Sequence, residues 1–467
     1  MLKILLTVAA LSAPEVVLGQ SVQAPLWSGH AFTRSAGTTG SSAKAPGRFS
    51  GRLISSTFFR ILPAGQASGV AFRPKWKSGQ DWLVNSGVAA LSGTGWLASR
   101  PWMEDSKGFT ARSFGAQPLA RPLTTADNWL GGPGNWSNVG LWSTGAIPVA
   151  SNDVFINNSS PVSEVQLDVS ATIDNLTVGS TSSLDFANGV SLTVGASGGN
   201  TISNAGTISL NSSGGGAYLI IGSANVTLSG GGAGTPSMLT MSNSSSNIIE
   251  GAVSTDTLTN QETIQGSGNI GGASLKLVNS GTINANQNVA LTVEPTSGGL
   301  TNSGTMEASN AGTLVVEASG AATNSGVIEA DASSIVQVIG GTYTNTSGSI
   351  QNAGDMLLED VTINGGTVSQ SGAGYMQLYG ANINTAVTNS GSGTIEVLNG
   401  PGSSVGALTN PTGGLVTIDN GGVLTLTGAV SNAGTIAMNS AGGGAYLTIG
   451  AANVTLNGGG TLTMSSN

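Results

Sequence analysis

The chain has 467 residues, of which 8% are charged and 72 are glycine, and it carries a formal net charge of -9. It has no cysteine, which excludes a disulfide framework, a thiolate nucleophile and any thiolate metal site. Low charge with regularly spaced Val, Ile and Leu excludes the highly charged disordered class, and the length allows a large core or several domains. Thirteen of the fourteen Lys and Arg lie in residues 1–121 beside only Glu15, Asp81, Glu104 and Asp105, a net +9. Residues 122–467 hold Lys276 against nineteen acids, and all eight Trp precede residue 143. Two unlike regions follow from this split.

Residues 1–19 read as a signal peptide. Lys3 precedes the apolar run Ile4–Leu11, which suits a secretory core segment and is too short to span a bilayer. Cleavage is expected after Gly19. No later run is long and apolar enough for a membrane-spanning helix. Residues 20–125 form a basic leader or linker of low order, rich in Gly, Ser, Pro, Arg and Trp, part of which can also be read as lying upstream of the natural start. Leu53–Leu62 fits one strand or a short helix. Arg73-Pro74-Lys75-Trp76-Lys77 interleaves cations with an aromatic, as a polyanion site would, but no nucleic-acid-binding fold signature accompanies it, so no nucleic-acid partner is expected.

Residues 126–170 are read as a Trp-rich cap with the first coils. Trp129, Trp136 and Trp142 precede the strand Asp153–Ile156, and nothing later contains Trp. A stack of coils needs an end of unlike sequence and bulky side chains, so Asn128–Asn157 is assigned as the cap; a sugar-stacking platform is the alternative for clustered indoles. The run Trp136-Ser-Asn-Val-Gly-Leu-Trp142-Ser-Thr-Gly145-Ala-Ile-Pro148, followed by Asn152-Asp153-Val154-Phe155-Ile156, resembles the opening of large bacterial surface proteins, namely autotransporter passengers and filamentous-haemagglutinin-like adhesins. The resemblance continues to residue 467. It implies a β-solenoid on a cell surface or outer membrane. The chain departs from those families in lacking an Asn-Pro-Asn-Gly secretion motif and a C-terminal run of barrel strands.

Residues 171–467 are read as the repetitive solenoid. Residues 203–232 and 431–460 match at 24 of 30 positions with an offset of 228, which reads as one repeat unit and a second cut off at residue 467. A tag of Asn-x-Gly followed by a small residue and an aliphatic begins at Asn204, Asn279, Asn302, Asn324, Asn352 and Asn432. The tag glycines are expected to turn the chain through positive φ, and the residues after them to start a strand with sides alternating in and out. Leu192, Val194, Ile202, Leu314, Val316, Ile335, Val336, Val338, Leu424 and Leu426 are expected inside, with Thr193, Thr201, Thr425 and Thr427 outside. Stacking is expected to align Asn with Asn. Coils of roughly 20–25 residues stacked at about 4.8 Å give roughly fifteen coils and a rod of order 70 Å. The fold class is therefore all-β, a parallel right-handed β-helix. A sandwich array is the rival, disfavoured because residues 157–467 hold only Phe186 and five Tyr as aromatics. An open end of the stack would present unpaired edges and invite self-association.

Chemistry is sparse. Asp174, Asp185, Glu250, Glu307, Glu317, Glu329, Asp331, Glu359, Asp360 and Asp419 are scattered and read as solvated acids. The only His, His30, lies in the leader, and Lys276 is the solenoid's one cation, so a lyase-like base beside calcium-binding acids is not expected. Gly230-Gly231-Gly232-Ala-Gly234-Thr lacks the acid of calcium-binding nonapeptides. No catalytic, cofactor-binding or metal-ligating residue is assigned. The expected function is an exported, non-enzymatic structural or adhesive rod, contacting surface glycans or host or abiotic surfaces through outward Thr, Asn and Ser rows with Tyr218, Tyr375, Tyr379 and Tyr446. The alternatives are a carbohydrate-active β-helix enzyme and a self-associating surface-layer or matrix component.

Overall fold

The computed structural model describes residues 124–230, 237–450 and 453–466, together with the backbone of three short strands nearer the N-terminus. Those three, Val16–Leu18, Thr57–Ile61 and Ser68–Phe72, form an antiparallel sheet with the middle segment in the centre. Leu53–Leu62 therefore contributes a strand. The remaining readings made for residues 1–123 lie outside the described residues. Residues 121–467 make a separate compact unit.

That unit is a parallel β-solenoid. Each turn contributes three short strands, here called the first, second and third faces in chain order. One turn is Leu300–Asn302, Thr305–Ala308 and Thr313–Glu317. Every strand pairs in parallel with its counterpart one turn on, so that Leu300 faces Ala322, Met306 faces Ile328 and Leu314 faces Val336. The third face is a 14-stranded ladder, one strand per turn. The first and second faces join into one 28-stranded sheet because Asn382–Asn389 and Ser403–Asn410 run through the corner between them unbroken. Turn length varies: Leu258 pairs with Leu277 across a short turn, whereas Leu228 pairs with Asn260 across a much longer one.

Strict alternation builds the core. Val190, Leu192 and Val194 are buried while Ser191 and Thr193 are not, because successive side chains on a strand point to opposite sides. The inward residues form one continuous aliphatic column from Val154 to Ile436. Ile335 corrects the expectation: it is 37% exposed. With Val336 and Val338 buried on the same strand, period two leaves Ile335 outside.

The tag glycines also correct the expectation. None of Gly206, Gly281, Gly304, Gly326, Gly354 and Gly434 has positive φ. What they need is closeness. A Cβ on Gly304 would stand 2.0 Å from the carbonyl oxygen of Gly281, and one on Gly326 would stand 2.0 Å from that of Gly304. The Thr305 N–H donates to that same Gly281 oxygen at 2.9 Å. The corner is stacked so tightly that only a hydrogen atom fits.

The asparagines of the tags point inward and stack. Nδ2 of Asn260 donates to Oδ1 of Asn279 at 2.8 Å, Asn279 to Asn302 at 2.8 Å, Asn302 to Asn324 at 2.8 Å and Asn324 to Asn345 at 2.6 Å. This row runs at the corner after the first face and stops at Asn345. In the same turn Asn352 opens a second row at the corner after the second face, continued in register by Gln370, Asn389, Asn410 and Asn432. The amide row changes corner inside one turn.

That change explains the repeat. In the first copy Thr207–Leu210 lies on the second face and Ala217–Ile221 on the third. In the second copy the matching Thr435–Met438 lies on the third face and Tyr446–Ile449 on the first. The offset between the copies spans ten turns of the third-face ladder plus one face. The unit seen in the sequence is not a whole number of turns.

Candidate functional site

Outward side chains lie on a grid set by the fold: about 4.8 Å between turns and about 6.7 Å between alternate residues along a strand. The three faces carry different chemistry. The first-face strands from Asn175–Val178 to Tyr446–Ile449 hold no acid and one cation, Lys276. Their outward rows are mostly hydroxyls and amides, with Val278, Ala321, Val423 and Tyr446 among them. One row runs Thr201, Thr227, Thr259, Val278, Thr301, Thr323, Thr344, Asn364 and Asn384 in register, polar but for the valine. Asn384 donates to Asn364 at 2.8 Å, and the Thr425 and Thr448 hydroxyls meet at 2.7 Å.

The second face carries four of the sequence-selected acids: Asp185 stands apart near its start, and three others lie together. Glu307 and Glu329 are direct partners in register, and Asp331 follows at the corner. Partial burial, then the charges of Glu329 and Asp331, push the Glu307 carboxyl above its ordinary range. Glu329 is raised by burial and by Asp331. No group of three or more His, Cys, Asp or Glu among the described residues could hold a metal ion.

The third face is mixed. Four successive strands present the outward triplets Thr313, Val315, Glu317; Ile335, Gln337, Ile339; Asp355, Leu357, Glu359; and Tyr375, Gln377, Tyr379. Register places Asp355 next to Ile335 and Glu359 between Ile339 and Tyr379. In the next turn Glu396 follows Gln377, which donates to it at 2.8 Å. Tyr375 is 47% exposed, and its backbone N–H donates to Asp355 at 3.0 Å. Burial and then the Glu396 charge raise the Asp419 carboxyl. Glu250 stands outward on this face as well.

Several polar groups are inside. Asp174, expected to be solvated, is fully buried. Its carboxylate accepts the Gly199 N–H of the next turn at 2.6 Å, so it serves as a corner acceptor. Glu262 was not singled out from the sequence. It is buried, and Asn204 Nδ2 reaches its two carboxylate oxygens at 3.1 and 3.3 Å. Gly230 stands between the two residues: it pairs with Asn204, and a Cβ on it would lie 3.4 Å from the Cβ of Glu262. The glutamate fills a place where the intervening turn has no side chain. Burial outweighs the Asn204 hydrogen bond and pushes the Glu262 carboxyl up to about 7. Tyr343 points inward, fully buried, with no partner for its hydroxyl, and burial raises its pKa.

The three Trp present no platform. All are at most 1% exposed, and the Trp142 ring packs edge-on against Trp129 and Trp136, with centroids 4.9 and 4.8 Å away. Trp129 Nε1 donates to Gly132 O at 2.9 Å and Trp142 Nε1 to Trp136 O at 2.8 Å. Asp127, also buried, accepts from Thr144 N–H and hydroxyl at 3.1 and 2.9 Å. The sugar-stacking alternative fails here because no indole face is open. Tyr375 and Tyr446 are exposed, whereas Tyr218 and Tyr379 are half-buried.

Comparison with protein-family models, with curated proteins and with solved structures gave no match.

Proposed function

We propose that this chain is an exported, non-enzymatic rod that attaches a bacterial cell to a surface, in the manner of the autotransporter passengers and filamentous-haemagglutinin-like adhesins it resembles. One observation supports the reading most: three ladders carried through 14 turns of the solenoid hold outward side chains in long rows of fixed spacing. Many weak contacts along such rows add through effective concentration. Export rests on the apolar run Ile4–Leu11; secreted material is expected to begin at Gln20 on N-terminal sequencing. The adhesive role is tested with beads carrying the purified chain. They are expected to attach to glycan-coated glass and to cell layers more than beads carrying an unrelated folded protein. Equal attachment would end the reading.

The enzyme alternative would draw first on Glu307, Glu329 and Asp331, where two carboxyls are direct register partners. Glycoside hydrolysis places its two carboxyls about 5–9.5 Å apart with the scissile bond between them. Glu307 and Glu329 are register neighbours on adjacent turns of one face, about 4.8 Å apart along the backbone, which leaves no cleft between them for a sugar ring and supports the non-enzymatic reading. Release of reducing ends from neutral or acidic polysaccharides would reverse the preference.

A further inference from the structure

The acids are distributed unevenly among the faces, and on the third face they alternate with groups a solubilising surface has no use for. The first face stays exposed without any acid on its strands from Asn175–Val178 onward, so solubility does not demand them. On the third face, carboxylates sit beside exposed or half-exposed Ile335, Leu357, Tyr375 and Tyr379. These four lie on three successive strands, close enough to act together as one apolar patch rimmed by charge, the form a contact surface takes. No Lys or Arg among the described residues of the solenoid shares this face, since the only one, Lys276, stands on the first.

We infer that the third face between Thr313 and Thr417 binds a polymer of amino sugars bearing free ammonium groups, which rests on the adhesive reading above and names its ligand. Tyrosine and aliphatic side chains accept the apolar face of a pyranose ring. Ile335 and Tyr375 lie two turns apart in one row, about 9.6 Å, a span close to that of two linked sugar rings. Between them lies Asp355, and between Ile339 and Tyr379 lies Glu359, each placed to take an ammonium group from the ring in passing. The Gln377 amide and the Glu396 carboxylate meet ring hydroxyls. Charge decides the class: an anionic polysaccharide meets only like charge here, whereas an ammonium polymer meets Asp355, Glu359 and Glu396.

The test uses the full chain and a glucosamine hexamer with free amines, followed by titration calorimetry. Saturable binding is expected. It should weaken at least about tenfold in Tyr375→Ala and in Glu359→Gln, and weaken again when salt rises from about 0.05 M to about 0.5 M. Tyr375→Phe should retain it, and Thr344→Ala, on the first face, should leave it unchanged. The N-acetylated hexamer should bind at least about tenfold more weakly. No binding of the free-amine hexamer, equal binding of the acetylated one, or indifference to both third-face substitutions would each overturn the inference. Circular dichroism of the variants separates lost binding from lost fold. Bead attachment separates the two claims: attachment without hexamer binding leaves the adhesive reading and removes this ligand.

Discussion

At the scale of single residues, Glu262 and Tyr343 show what burial does to a polar group. Glu262 has its carboxyl raised from the ordinary 4.5 to about 7. A carboxyl whose folded value lies above its unfolded one stabilises the fold at low pH. That contribution is complete below about 4.5 and is lost as pH rises through about 7. Glu262→Gln should therefore be more stable than the parent at pH 8, by up to about 3 kcal/mol, and nearly equal at pH 4. Paired denaturant melts across that range check it, and a constant difference would refute the assignment. Tyr343 buries a hydroxyl that meets no partner, so Tyr343→Phe should stabilise by about 1 kcal/mol. Neither position was legible in the sequence. Glu262 follows a tag-like asparagine in a polar stretch, and only the absent side chain of Gly230, contributed by the preceding turn, turns it inward. Asp174 was hidden for the same reason: its partner Gly199 belongs to the next turn.

At the scale of strands and corners, the alternation of Leu192, Val194, Leu314, Val316, Leu424 and Leu426 with hydroxyl residues was readable because period two belongs to the strand itself. The stacking of Asn on Asn was readable because parallel register repeats like positions. The role of the tag glycine was not, since close approach depends on the turn below. Gly304→Ala pushes a methyl to 2.0 Å from the Gly281 oxygen and should cost about 2–4 kcal/mol. Gly145→Ala tests the other cause: its φ is +70° with nothing within 4 Å, so it should cost only about 1–2 kcal/mol. Thermal melts of the two variants should rank them in that order. Asn302→Ala removes the donor to the buried Asn324 carbonyl and one of the acceptors of the Asn279 amide and should cost about 1–3 kcal/mol.

At the scale of the solenoid, each turn touches its neighbours, so stability is a sum of local and nearest-neighbour terms. Leu314→Ala removes a buried side chain that lies between Leu291 and Val336 in register and should cost about 2–5 kcal/mol. Hydrogen exchange should quicken in Leu291–Val293 and Ile335–Ile339 while Ser163–Leu167 keeps its protection. Uniform loss of protection would mean one cooperative block. The parallel solenoid was legible from composition and spacing, because thin coils need few aromatics. The number of turns per repeat was not, since turns as short as Leu258 to Leu277 and as long as Leu228 to Asn260 share one stack.

Thr207–Leu210 and Thr435–Met438 belong to stretches that match at 24 of 30 positions, yet they are seated one face apart. Each string must therefore encode only a straight piece and a bend, with no address on the circumference. An insertion of a single strand and corner would rotate everything beyond it by one side and still close the pile. Growth in such a chain can proceed by thirds, and whatever is displayed outward can be re-aimed without redesigning what lies inside.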